Sequence, residues 1–277
     1  STYEFSDATS SNGTISLIVP NEREIPTLGK IELIKKGSDD PDHTLSDAIF
    51  EVYEWDISLN DGAGGYQATP YMAEGSEHSM SYVTDESKGG GYYTNDKLMR
   101  YTTENQGKYM IVEEKAPDGY QKSFVRYIQL NKSENGLKKF EIEAINEPNE
   151  LNILKLNESD DPLSGVKFAF RINSDNTLLQ EEYNGTYEVD ENGMLQIKKL
   201  IPGIYYIYES EAPAGYAVDS QERKIIVDSE SYIYEEGKED QKSHTYALDI
   251  INEPNKVRLH KVDNNGNSLA GAVFELR

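Results

Sequence analysis

INEPNELNILK, Ile145–Lys155, recurs as INEPNKVRLHK, Ile251–Lys261. Each copy joins an alternating apolar run that ends in Asn-Glu-Pro-Asn to a second alternating run that ends in Lys. Alternation with a period of two is the mark of a strand with one buried face. Repetition at long range marks a tandem array, and a strand–turn–strand repeat marks the place where one unit closes and the next opens. From Lys155 to Lys261 the spacing is 106 residues. GKIELIK, Gly29–Lys35, opens an earlier unit in the same way, 120 residues before Lys155, and the excess falls in a Gly- and Tyr-rich insertion around Asp61–Tyr93.

The units therefore run over 30–148 and 149–254, and a third, incomplete one begins at 255 and continues to 277. Residues 1–29 contain TISLIVPNE (Thr14–Glu22), which reads as a closing strand of a preceding repeat or as an extra strand. IPTLG, Ile25–Gly29, reads as linker. After each opening run come polar turn residues and a second apolar strand: SDDPDHTLSDAIFEVYEW (Ser38–Trp55), SDDPLSGVKFAFRI (Ser159–Ile172) and NNGNSLAGAVFELR (Asn264–Arg277). KYMIVE (Lys108–Glu113), IYYIYE (Ile204–Glu209) and KIIVD (Lys224–Asp228) are rich in β-branched and aromatic residues, and DENG (Asp190–Gly193) is a hairpin turn signal. The expectation is an all-β chain with one Ig-like β-sandwich per unit in an elongated array.

Composition narrows the function. Lys+Arg number 27 against 50 Asp+Glu, a net charge of −23, so a polyanion would be repelled and nucleic acid is set aside as a partner. The absence of cysteine removes disulfides, thiolate metal sites and cysteine nucleophiles. No apolar run has the length of a membrane span, and the chain reads as a mature piece of a longer protein. SDDPDH and DNNGN lack the spacing of a calcium loop. His43, His78, His244 and His260 lie too far apart for a zinc set. Ser76–Ser79, SEHS, is not a dyad on adjacency alone. No metal or cofactor is expected.

Strand phase singles out three side chains per unit. Ile31, Leu33 and Lys35 share a face, as do Leu151, Ile153 and Lys155, and Val257, Leu259 and Lys261. Tyr109, Ile111 and Glu113 align, as do Tyr205, Ile207 and Glu209; so do Ile142, Ala144 and Asn146, and Leu248, Ile250 and Asn252. A lysine, a glutamate and an asparagine thus project inward in each unit, where polar groups are expensive unless they answer one another. Burial lowers a lysine pKa and raises that of a carboxylic acid. A neutral amine is a nucleophile, the Asn amide carbon an electrophile, and a protonated Glu between them polarises the carbonyl and moves protons. The chemistry on offer is a single-turnover Lys–Asn amide bond. Lys36 is a rival of Lys35, Glu114 of Glu113 and Glu211 of Glu209; phase or motif position favours the first of each pair.

These motifs carry a family resemblance: the opening LIK, ILK and LHK strands, the LSDAIFEVY, LSGVKFAF and LAGAVFEL strands, and EEKAPDGY (Glu113–Tyr120) and ESEAPAGY (Glu209–Tyr216) with the INEPN segments after them. Over about 30–277 the chain resembles tandem Cna B-type (SpaA-like, prealbumin-like) domains of Gram-positive surface adhesins and pilins. The resemblance implies stalk modules with catalytic Glu113 and Glu209, crosslinks Lys35–Asn146 and Lys155–Asn252, and Lys261 as the nucleophile of the third unit. It also implies a place outside a Gram-positive cell, on the cell surface or wall, neighbouring repeats as partners, and a sortase acting on the full-length parent. The insertion, DGAGGYQATPYMAEGSEHSMSYVTDESKGGGYY, departs from the minimal module. It opens the alternative of an adhesin module that binds a host extracellular-matrix protein or glycan.

Overall fold

The computed structural model describes residues 26–60, 66–72, 81–84, 92–93, 97–103, 105–133, 136–172 and 185–275. They are nearly all β, in two tandem sandwiches. TISLIVPNE, SEHS and much of the Asp61–Tyr93 insertion lie outside the described residues.

In the first unit, β1 (Thr27–Gly37) runs parallel to β9 (Gly136–Asn146) along its whole length and antiparallel to the short β5 (Tyr92–Tyr93) and β6 (Met99–Arg100). The facing sheet has the order β3 (Tyr66–Pro70), β2 (Ile49–Asn60), β7 (Lys108–Lys115), β8 (Val125–Gln129), with β4 (Ser81–Val83) also on β2. Ile31, Leu33, Phe50, Val52, Tyr109, Ile111, Ile142 and Ala144 fill the space between. The second unit repeats the scheme. β10 (Glu150–Asn157) lies between β13 (Met194–Lys198) and the parallel β17 (Thr245–Asn252). It faces the sheet β12 (Thr186–Glu188), β11 (Lys167–Ile172), β14 (Gly203–Glu211), β15 (Arg223–Val227), β16 (Ile233–Glu235). Leu151, Ile153, Phe168, Tyr205, Ile207, Leu248 and Ile250 form that core. In both units the first and last strands are thus parallel neighbours.

Three expectations need correction. IPTLG is not all linker: β1 starts at Thr27, and Thr27 and Gly29 continue the buried alternation of Ile31, Leu33 and Lys35. A Cβ on Gly29 would sit 2.9 Å from Met99 Cε and 3.0 Å from Leu130 Cδ2, so the bare backbone lets these side chains close the end of the core. DENG does turn, with Asp190 Oδ1 accepting from the N–H groups of Asn192 and Met194 and Gly193 at φ +70°. It passes the chain from β12 in one sheet to β13 in the other, and so makes no hairpin. The third unit's two expected strands do not form among the described residues. Val257 and Leu259 are 75% and 59% exposed, and only an isolated bridge, Val262 to Ser268, closes the Asp263 turn. A strand needs a ladder partner for its N–H and C=O groups, and no described strand offers one there.

Candidate functional site

The parallel pairing of first and last strands sets the distance between lysine and asparagine. Lys35 is in register with Ala144 and Lys155 with Ile250, so Asn146 and Asn252 lie two residues further along the neighbouring strand, on the same face. Such diagonal neighbours are about 7–8 Å apart at Cα, within reach of a lysine. The glutamate comes from the opposite sheet, on β7 or β14. Immediately after each glutamate the ladder slips: Phe50 pairs with Glu113 but Ile49 with Lys115, and Phe168 pairs with Glu209 but Lys167 with Glu211. A bulge of one residue, Glu114 or Ser210, bends the strand at that point. It lets the glutamate point into the sandwich while the next residues turn outward.

All six side chains are buried: Lys35, Lys155 and Asn146 at 0% exposure, Asn252 at 1%, Glu113 at 2% and Glu209 at 3%. In the second unit Lys155 Nζ donates to Asn252 Oδ1 at 2.5 Å and lies 3.3 Å from Glu209 Oε2, while Asn252 Nδ2 donates to Glu209 Oε1 at 2.6 Å. With a C=O bond of ~1.23 Å, the amide carbon of Asn252 is no more than about 3.7 Å from Nζ. That is close to the separation of reacting atoms in a near-attack geometry. In the first unit Asn146 Nδ2 donates to both Glu113 oxygens at 2.8 Å. Lys35 Nζ sits 3.9 Å from Glu113 Oε1 and donates to the carbonyls of Lys36 and Ala144 at 3.0 and 3.3 Å. Asn146 Oδ1 is buried with no hydrogen-bond partner. The N–H groups of Ser123 and Phe124 donate to Glu113 Oε2 at 3.3 and 3.4 Å.

Burial drives both members of the first pair toward neutrality. It lowers Lys35 to about 8 against the opposing pull of Glu113, and it raises Glu113 against Lys35, Asn146 and the two backbone N–H groups. Lys155 is likewise lowered by burial, opposed by Glu209. In the first unit a neutral amine beside a neutral acid is thereby accessible. In that form a half-turn of the Asn amide about Cβ–Cγ puts its oxygen against the acid proton while its carbon, on the rotation axis, keeps its place.

The rival residues are placed elsewhere. Lys36 pairs with Glu143 on the outer face, Glu114 accepts from Tyr53 Oη at 2.7 Å at the surface, and exposed Glu211 pairs with Lys167 at 2.7 Å. Lys261 is exposed, its Nζ donating to the Val262 carbonyl at 3.2 Å, and among the described residues it is not enclosed in a core. No group of three or more His, Asp or Glu among the described residues is arranged to hold a metal, and no described helix is long and apolar enough to cross a membrane.

An uncrosslinked first unit carries a pH signature. In Asn146→Ala, Lys35 keeps a lowered folded pKa while the unfolded chain holds its proton up to 10.5. Between about 8 and 10.5 the unfolded state binds more protons, so stability should rise with pH there. The gain should reach roughly 3 kcal/mol, read by denaturant titration at stepped pH, and a flat profile would mean a solvated lysine.

A profile of the SpaA family of prealbumin-like fold domains matches residues 29–146 and 149–242. The chain belongs to that family. The first SpaA segment spans Lys35, Glu113 and Asn146; the second includes Lys155 and Glu209, and Asn252 follows it on β17. None of the curated protein sequences matches the chain. Among solved structures the SpaA-type chain is similar to the Bacillus anthracis TIE protein, at 20% identity over 82% of this chain and 34% of that one, with a TM-score of 0.38. It is similar to a streptococcal ancillary pilin at 17% identity, over 82% of this chain and 62% of that one, with a TM-score of 0.31. A C-terminal fragment of the pilus adhesin SpaC from Lactobacillus rhamnosus GG is 17% identical, over 83% of this chain and 98% of the fragment, with a TM-score of 0.37. The chain thus spans about a third of the TIE protein and under two thirds of the ancillary pilin.

Proposed function

We propose that this chain is a stalk segment of a cell-surface adhesin or pilin of a Gram-positive bacterium. Its two modules, 30–148 and 149–254, each close themselves with one Lys–Asn amide. The observation that carries this reading is the double burial of a lysine, a glutamate and an asparagine inside sandwiches of the SpaA family, with all three in mutual contact in the second. Such groups buried without reacting would cost several kcal/mol each, whereas a secondary amide is neutral. In the reaction the amine nitrogen attacks Cγ of the asparagine, and the glutamate takes a proton from that nitrogen and delivers it to Nδ2. The Cγ–Nδ2 bond breaks and ammonia leaves. The event happens once per module, so the glutamates are catalysts without being an enzyme's active site.

The topology explains what the bond would do. Pulling force enters a module along β1 or β10 and leaves along β9 or β17. An amide between these parallel neighbours carries the load directly from one to the other, and everything between Lys35 and Asn146, or Lys155 and Asn252, is bypassed. The polyacidic, cysteine-free composition is compatible with work outside the cell, on a parent that a sortase attaches to the wall. Intact-mass spectrometry of the denatured chain tests the reading: the mass should fall short of the sequence mass by two ammonias. A mass equal to that of the sequence overturns it.

A further inference from the structure

The turns that follow the two glutamates are built alike and covered differently. In the first, Tyr120 N–H donates to Pro117 O at 3.1 Å, Gln121 N–H to Glu147 O at 2.8 Å and Asn149 N–H to Gly119 O at 2.8 Å, with a bridge between Tyr120 and Pro148. In the second, Tyr216 donates to Pro213 at 3.2 Å, Ala217 to Glu253 at 3.1 Å and Asn255 to Gly215 at 2.8 Å, with a bridge between Tyr216 and Pro254. Gly119 and Gly215 both sit in the left-handed region, at φ +83° and +95°. The contrast lies in what meets them. A Cβ on Gly119 would come within 2.9 Å of the Lys199 carbonyl oxygen in the second unit, while one on Gly215 would meet nothing within 4 Å.

Around Gly119 the two units interlock. Asn149, fully buried, donates through Nδ2 to the carbonyls of Leu200 at 2.8 Å and Ser231 at 3.3 Å, and its own carbonyl accepts from Lys199 N–H at 3.1 Å. Lys199, itself left-handed at φ +61°, places its ammonium 2.6 Å from Asp39 and 5.7 Å from the centre of the Tyr120 ring, and Tyr120 Oη donates to Asp39 at 3.2 Å. Immediately beside this knot the units part, leaving a cleft of roughly 260 Å³ between Glu114, Lys115 and Lys122 on one side and Ser229 and Glu230 on the other. Asn255, the counterpart of Asn149, is exposed, and its side chain donates to the Tyr216 carbonyl of its own turn, at 3.3 Å.

We propose that the turn Pro117–Tyr120 of the first module forms a rigid coupler with the corner that Asn149, the left-handed Lys199 and Leu200 make in the following module. The coupler holds the two sandwiches at one fixed angle, whereas modules joined by a simple linker move relative to one another by default. Asn149 is a positioning residue: it opens the second unit, where its side chain is anchored on the Leu200 and Ser231 carbonyls, and its N–H donates back to Gly119 in the turn of the first. The coupler is independent of the Lys–Asn amides, since none of its contacts involves the triads.

Pulsed electron spin resonance on the full chain tests this, and the absence of native cysteine makes the labelling clean. Nitroxides on Glu141→Cys in β9 and Asp249→Cys in β17, both exposed strand positions, report the distance between modules. The parent should give one narrow distance, and Asn149→Ala should widen the distribution about twofold or more. Gly119→Ala should shift or widen it too, while Gly215→Ala, which strains the same kind of turn but faces open space, should leave it unchanged. Melting curves identify any variant whose units have unfolded, and the two glycine variants then decide alone. A broad distribution in the parent, or equal responses to Gly119→Ala and Gly215→Ala, overturns the coupler. Intact mass on the same samples reports the amides separately, so loss of one reading leaves the other standing.

Discussion

Lys155→Ala should restore the mass of one ammonia and lower the melting temperature of the second unit by on the order of 20 °C. Two effects add. The amide would close a loop with 97 residues between its ends in sequence number. By the chain-entropy treatment of a crosslink, that removes about 4–5 kcal/mol of unfolded-state freedom. In a domain of about 100 residues each kcal/mol moves the midpoint by roughly 4–8 °C. The truncation also removes a buried side chain and leaves a void beside Glu209 and Asn252, which adds to the loss. Lys261→Ala is the matching control: that lysine is exposed, so neither the mass deficit nor the midpoint should change. Calorimetry combined with intact mass reads both quantities from one sample. A Lys155→Ala chain that keeps its two-ammonia deficit, or melts within a few degrees of the parent, would remove the amide from the account of stability.

The fold was legible because its signals are local. The alternation of Ile31, Leu33 and Lys35, and of Leu151, Ile153 and Lys155, marks strands with one buried face, and the burial of β1 and β10 follows it residue by residue. Alternation also carries Lys35, Lys155, Glu113 and Glu209 into the interior, since side-chain phase does not depend on chemistry. Three things were not legible. The bulges after Glu113 and Glu209 have no composition signal; they appear only as a slip in pairing with β2 and β11. The destination of DENG depends on which sheet β13 joins, and that is decided by its long-range ladder with β10. The role of Asn149 was hidden because the sequence repeats it as Asn255, and only the second unit's Leu200 and Ser231 carbonyls distinguish the two. Likewise, nothing in the sequence separates Lys155, which reaches Asn252, from Lys35, which is held by two backbone carbonyls.

Glu209→Gln should leave the second sandwich folded but slow its amide by about 10²–10⁴-fold, the usual worth of a positioned acid–base group. Glutamine occupies the same space and can still hydrogen-bond Asn252, so packing between β14 and β17 survives. It cannot take the proton from the attacking amine and hand it to the leaving nitrogen, and without that transfer the amine leaves Cγ faster than ammonia does. The first unit supplies an internal clock, because Lys35, Glu113 and Asn146 are untouched and should still expel their ammonia. Freshly made Glu209→Gln should therefore show a one-ammonia deficit that grows slowly toward two, and Glu113→Gln should show the reciprocal pattern in the first unit's peptides. Glu211→Gln changes a carboxylate that is exposed and paired with Lys167, so it should cross-link like the parent. If the Glu209→Gln chain reaches its full deficit as fast as the parent, the buried carboxyl only props the asparagine in place. Proximity of Lys155 to the Asn252 amide, enforced by the parallel strands, would then have to supply the whole of the acceleration.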